Sequence, residues 1–195
     1  SHAKTLGYEP ASVRAPKAVI DVVLFDSVKA TGSIPAGTVF TSSVNDVSYK
    51  FVTVNEFTAS NSGNSIPFLS VPIYEGTFIT TQYTVDSSDV DQRFVLTNNR
   101  ADTNTLTVTV QTSATDTSST TYTKTTDISQ VTSTSANYFL QEVENGLFEV
   151  YFGDGILGKS ISDGNIVVLT YVVTNRTDAN TANIFSNAAD IDTES

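Results

Sequence analysis

Five aspartates are the side chains in this sequence best suited to chemistry. Asp86, Asp89 and Asp91 crowd one short segment, and Asp154 and Asp163 stand inside glycine-rich turns. Carboxylates converging from loops are what Ca²⁺ takes, in sets of six to eight oxygens. The Asp-x-Asn-x-Asn-Gly spacing of a helix-flanked calcium loop is absent, so solvated loop carboxylates are expected and no metal site is assigned. A pair of carboxylates at a set separation also cleaves glycosides. Any acidic chain offers such pairs, and a sugar cleft usually has aromatic platforms; Trp is absent and the tyrosines fall mostly within strand patterns, where packing is expected. Gly153-Asp154-Gly155-x-x-Gly158 superficially resembles a phosphate-cradling loop. Such a loop needs a helix N-terminus behind it, whereas a second turn and a β-branched segment follow here. These glycines are expected to build a hairpin corner in which Asp154 accepts from nearby backbone N–H groups. Arg93 follows Asp89 and Asp91 closely, and a local ion pair is expected.

Composition removes other chemistry. The chain of 195 residues has no Cys, Met or Trp, and its one His is His2. Thiolate metal sites, Fe–S clusters and cysteine catalysis are excluded, and a Ser-His-Asp triad would need a rigid terminal His. No catalytic residue and no cofactor is assigned. The formal net charge is −11. Such a chain repels phosphate, so neither nucleic acid nor anionic membrane is an expected partner. No apolar run approaches the ~20 residues that span a bilayer. Ser1-His2 in place of an initiator Met, with a polar end, suggests a piece of a longer protein.

The elements that must position these residues are strands. Val, Ile, Thr, Tyr and Phe occur in short runs bounded by Gly, Asn, Asp and Pro. Val19 to Phe25 is near-continuously apolar, as in a strand buried on both faces, and the pattern alone also fits a short buried helix. Pro35 and Gly37 make a turn, since proline fixes φ and glycine supplies positive φ. Tyr49, Phe51 and Thr53 alternate with Lys50, Val52 and Val54. Pro67 and Pro72 mark residues 68–74 as an edge strand or an irregular passage. Leu106, Val108 and Val110 alternate with threonines, and residues 122–125 are expected to return as their partner after a Ser/Thr-rich tip. Asp127 and Gln130 suit the cap of one helical turn. Asn145-Gly146 signals a hairpin. Asp163-Gly164 opens a second tight turn before a long buried strand, Ile166 to Val173. The whole predicts a mainly β protein with little helix: two small β-sandwich-like units at residues 1–85 and 86–178, then a weakly structured tail at 179–195.

The segment Phe148-Glu149-Val150-Tyr151-Phe152-Gly153-Asp154-Gly155-Ile156-Leu157-Gly158-Lys159, followed by Asp163-Gly164-Asn165 and a strand carrying Tyr171, resembles the baseplate J-like family of contractile tails. Leu6-Gly7-Tyr8-Glu9-Pro10 resembles that family's lead-in, and Ile34 to Phe40 its turn. Tyr74 to Thr77, Asp89 to Phe94 and Gln141 to Val143 resemble its wedge subunits in T-even-like phages. The resemblance covers roughly residues 6 to 180. It implies a non-enzymatic, structural role in the virion tail baseplate, assembled in the host cytoplasm. Its implied partners are other wedge subunits and a second copy of the chain, in a ring around the tail hub whose change of shape triggers sheath contraction. Gly153, Asp154, Gly155, Gly158, Asp163 and Gly164 carry over only as turn-formers. Low charge density suits faces that become buried against partners. Acidity, Thr-rich strands and the lack of Cys also fit immunoglobulin-like adhesin domains that bind Ca²⁺ or glycans, and a tail-associated glycosidase is a third reading.

Overall fold

The computed structural model describes residues 11–175 and the backbone of residues 186–187 and 192–194. The lead-in at Leu6 to Pro10 and most of the 179–195 segment lie outside the described residues. The first strands are β1 (Lys17–Leu24), β2 (Thr31–Ile34), β3 (Val39–Val44), β4 (Val47–Val52), β5 (Phe57–Ser60) and β6 (Ile66–Glu75). Then come β7 (Thr77–Thr84), β8 (Phe94–Leu96), β9 (Ala101–Gln111), β10 (Ser119–Lys124), β11 (Asn137–Glu142), β12 (Phe148–Phe152) and β13 (Ile166–Val173). Two short strands follow, β14 (Ser186–Asn187) and β15 (Asp192–Glu194). Helix among the described residues is limited to single 3₁₀ turns at Ile128–Gln130 and Glu144–Gly146. The chain is β-rich, as its composition predicts.

The chain divides into two compact units, and it passes from one to the other within β7 and again within β13. One unit holds Val13–Phe78, residues 172–175 and the strands β14 and β15. Its five-stranded sheet runs β1-β6-β4-β3-β14 and its three-stranded sheet runs β15-β2-β5. Ile34 of β2 shares a core with Phe40, Tyr49, Phe51, Ile66, Phe68, Val71 and Ile73, and Phe57 and Ala59 of β5 pack against it. Alternation sets this arrangement: Tyr49 and Phe51 point inward, while Ser48 and Lys50 face outward.

One expectation is corrected here and a second is narrowed. β1 is not buried on both faces. It ends its sheet, with Ala18, Ile20, Val22 and Leu24 against the core, while Val19 is 58% and Phe25 78% exposed. A run of apolar residues can therefore cover one buried and one open face. Of the two alternatives for residues 68–74, the irregular passage holds: β6 lies between β1 and β4 and so is not the edge of its sheet, but its pairing with β1 is interrupted. Its prolines are tolerated because the β4 register covers only Phe51↔Glu75 and Val52↔Tyr74, beyond Pro67 and Pro72. The β1 register shifts between Ile20 and Val22. Opposite that shift Ser70 has φ 56°, and its N–H donates to Asp21 Oδ1 at 2.8 Å, the device of a β-bulge.

The other unit holds Ile79–Tyr171 and Ser12. Its sheet runs β7-β13-β9-β10-β11-β12-β8. β9 and β10 pair antiparallel across the Ser/Thr-rich tip, but through Ser119 to Tyr122; of the expected partner residues 122–125 only Tyr122 lies in that register, and Thr123 and Lys124 pair with β11. β11 joins β10 in parallel and then turns back into β12. Three edge-to-face contacts link Tyr83, Phe94, Phe152 and Tyr122, with centroids 5.3 to 5.6 Å apart. Val167, Leu169 and Tyr171 of β13 are fully buried. Asp127 caps the first 3₁₀ turn, its side chain accepting from Ser129 N.

Candidate functional site

The glycine corner follows β12. Asp154 Oδ1 accepts from the backbone N–H groups of Ile156 at 2.8 Å and Leu157 at 2.9 Å. Those bonds hold its carboxyl below the usual carboxylate range. Gly155 donates to the Gly158 carbonyl at 2.9 Å, and Gly158 donates to Thr132 at 3.0 Å. Gly155 and Gly158 have φ of 85° and 91°. Gly153 serves by size instead, because a Cβ on it would lie 2.3 Å from the Gly158 carbonyl carbon and oxygen. The corner presents Ile156, 75% exposed, and Leu157, 44% exposed. Irregular chain leads from it to β13, so no helix N-terminus faces the loop.

Asp163 and Gly164 form the turn before β13, with Asn165 N donating to Ser162 O at 3.0 Å and Gly164 at φ 80°. Asp163 also reaches outside its turn: its Oδ1 accepts from Ser87 N at 2.9 Å and from Ser87 Oγ at 3.2 Å. Two of the other three aspartates have similar duties. Asp86 Oδ1 accepts from the N–H and hydroxyl of Ser88, which lowers its pKa, and Asp89 accepts from Asp91 N. Among the described residues no group of three or more His, Asp or Glu side chains converges as a metal site would require.

The Pro35–Gly37 turn is tied together by two buried threonines. The Pro35 carbonyl accepts from Thr38 Oγ1 at 2.6 Å and Thr53 Oγ1 at 2.8 Å. Thr53 Oγ1 in turn accepts from Thr38 N at 3.0 Å. Gly37 has φ 82°, and its N–H donates to Thr53 O at 2.8 Å.

Arg93 does not pair with Asp89 or Asp91. Its Nε donates to Glu149 Oε1, and its Nη1 and Nη2 donate to Glu144 at 2.6 and 3.2 Å. The Asp89 carboxylate is engaged in its own turn, whereas antiparallel pairing of β8 with β12 brings Glu149 opposite Val95, two residues from Arg93. Hydrogen bonding and charge from Arg93 hold the Glu144 carboxyl down at about 2. Burial, reinforced by the Glu149 carboxylate, pushes the Tyr151 hydroxyl up to about 12. Sequence reasoning missed Glu144 and Glu149, and also the buried Glu75, whose Oε2 accepts from Thr174 Oγ1 at 2.7 Å and Asn175 N at 3.1 Å. Separations of 51 to 100 residues gave no local signal for these partners.

Taken together, these side chains spend their polar groups on holding turns, and no nucleophile–base pair is built from them. No protein-family model matches the chain, and no curated protein matches it in sequence.

Proposed function

We propose that this chain is the β-rich part of a wedge subunit in the baseplate of a contractile phage tail. It works by protein–protein contact, helps to close the ring around the hub and takes part in the switch that triggers sheath contraction. The observation that carries this reading is the ordered series of sequence motifs: Leu6 to Pro10, Ile34 to Phe40, Phe148 to Lys159, and Asp163 to Tyr171. The glycine corner supports it in kind, since its carboxylate is used on its own backbone and its tip exposes two aliphatic side chains. We propose further that both units are sandwich-like supports for such contacts.

The test is reconstitution. The chain is produced together with the wedge and hub proteins encoded beside it, and the products are separated by size and imaged. A stable assembly containing this chain is expected. Failure to associate, together with a genomic neighbourhood lacking sheath, tube and hub genes, rejects the reading.

A further inference from the structure

Asn145 is the one asparagine in the sequence followed by glycine. A glycine on that side leaves its backbone nitrogen unshielded by a Cβ, so the nitrogen is a good nucleophile toward the neighbouring side-chain amide. The pair lies at the exposed turn between β11 and β12, with φ of 62° and 70°. Several other asparagine side chains are occupied. Asn61 donates to the carbonyls of Ser27 and Lys29, and Asn165 donates to Thr112 O and accepts from Ser162 N. The Asn145 amide makes no hydrogen bond among the described residues. In the two Asp-Gly pairs, Asp154 and Asp163 are held by backbone and hydroxyl donors.

We propose that Asn145 is a site of spontaneous deamidation, and that the Arg93–Glu144 ion pair sets its rate by holding the turn closed. The deprotonated Gly146 nitrogen attacks Asn145 Cγ. A ring N–Cγ bond forms, the bond from Cγ to the amide nitrogen breaks, and ammonia leaves with the proton. Water then opens the succinimide at either carbonyl, giving aspartate or isoaspartate. The attack requires Asn145 to leave its native ψ of 24°, so the turn must open. It is closed by Leu147 N donating to Glu144 O at 3.2 Å and by Val143 N donating to Leu147 O at 2.8 Å. Glu144 is fastened from outside the turn by Arg93. The product adds a negative charge beside Glu144, and the isoaspartyl form lengthens the backbone of the turn by one carbon.

The folded chain is incubated at mildly alkaline pH, sampled over time, digested and mapped by mass spectrometry, with isoaspartate read by enzymatic methylation. Conversion is expected first at Asn145, and Asn145→Gln removes that isoaspartate signal. Glu144→Gln, which frees the exposed arm while leaving Glu149 on Arg93, is expected to speed conversion by up to about fivefold, the range of an exposed ion pair. Unfolded peptides spanning residues 141–149, with Glu or Gln at position 144, should convert at equal rates. Earlier conversion at another asparagine overturns the assignment of the site. An unchanged rate in the folded Glu144→Gln variant overturns the role of the ion pair.

Discussion

Gly153 and Gly155 stand two residues apart in one corner and are needed for different reasons. Gly155 has φ 85°, but a Cβ there would touch only Ser160 Oγ at 3.7 Å. Gly155→Ala is therefore expected to cost about 1 to 2 kcal/mol, the price of a left-handed residue. Gly153 needs no unusual φ, yet its Cβ would collide with Gly158 backbone, which cannot swing aside. Gly153→Ala is expected to cost about 3 kcal/mol or more. Urea midpoints of the two variants check the order, and a smaller loss at Gly153 contradicts the geometry. Glu144 makes a second prediction at this scale. Its folded pKa, about 2, lies below its ordinary value of 4.5. Its contribution to stability is therefore complete above pH ~4.5 and is lost as the pH falls toward ~2. Thermal melts of Glu144→Gln should show a shallower acid decline over that window than the parent; parallel curves would remove Glu144 as a cause. The glycine-rich turns were legible in the sequence because their signals are local. The difference between Gly153 and Gly155 was not, because it depends on where Gly158 returns.

Among the elements, the turn from β2 into β3 is secured by Thr53, just past the end of β4. Thr53 is fully buried, and its hydroxyl both donates to Pro35 O and accepts from Thr38 N. Thr53→Val keeps the shape and removes both bonds, leaving buried polar groups short of partners. A loss of about 1 to 3 kcal/mol is expected, read as a lower denaturation midpoint with an unchanged slope. A variant as stable as the parent would show that the knot contributes little. Alternation disclosed β4, β9 and the β9–β10 pairing, because a period of two survives in any strand with one buried face. It failed at β1, where apolar residues also occupy the open face; at β6 the prolines marked an irregular passage but not that the strand lies inside its sheet, which depends on a short second neighbour. Ion-pair partners were illegible for a related reason: antiparallel pairing of β8 and β12, not sequence proximity, brings Glu149 to Arg93.

For the molecule as a whole, 21 acidic against 10 basic residues invite a calcium reading. The carboxylates described above cap turns, so millimolar Ca²⁺ or a chelator is expected to leave the melting temperature unchanged; a saturable rise on adding Ca²⁺ would instead favour the adhesin reading. The order of strands carries a separate consequence. β3 pairs with β14 and β2 with β15, at Ser186↔Thr41 and Asp192↔Ser33, and Val172 shares a small core with Ala15 and Val52. The unit begun by residues 13–78 thus recruits its last strands from more than a hundred residues further along the chain. During translation, residues 13–78 emerge well before residues 186–194 and must wait for them, with two unpaired strand margins open to wrong partners.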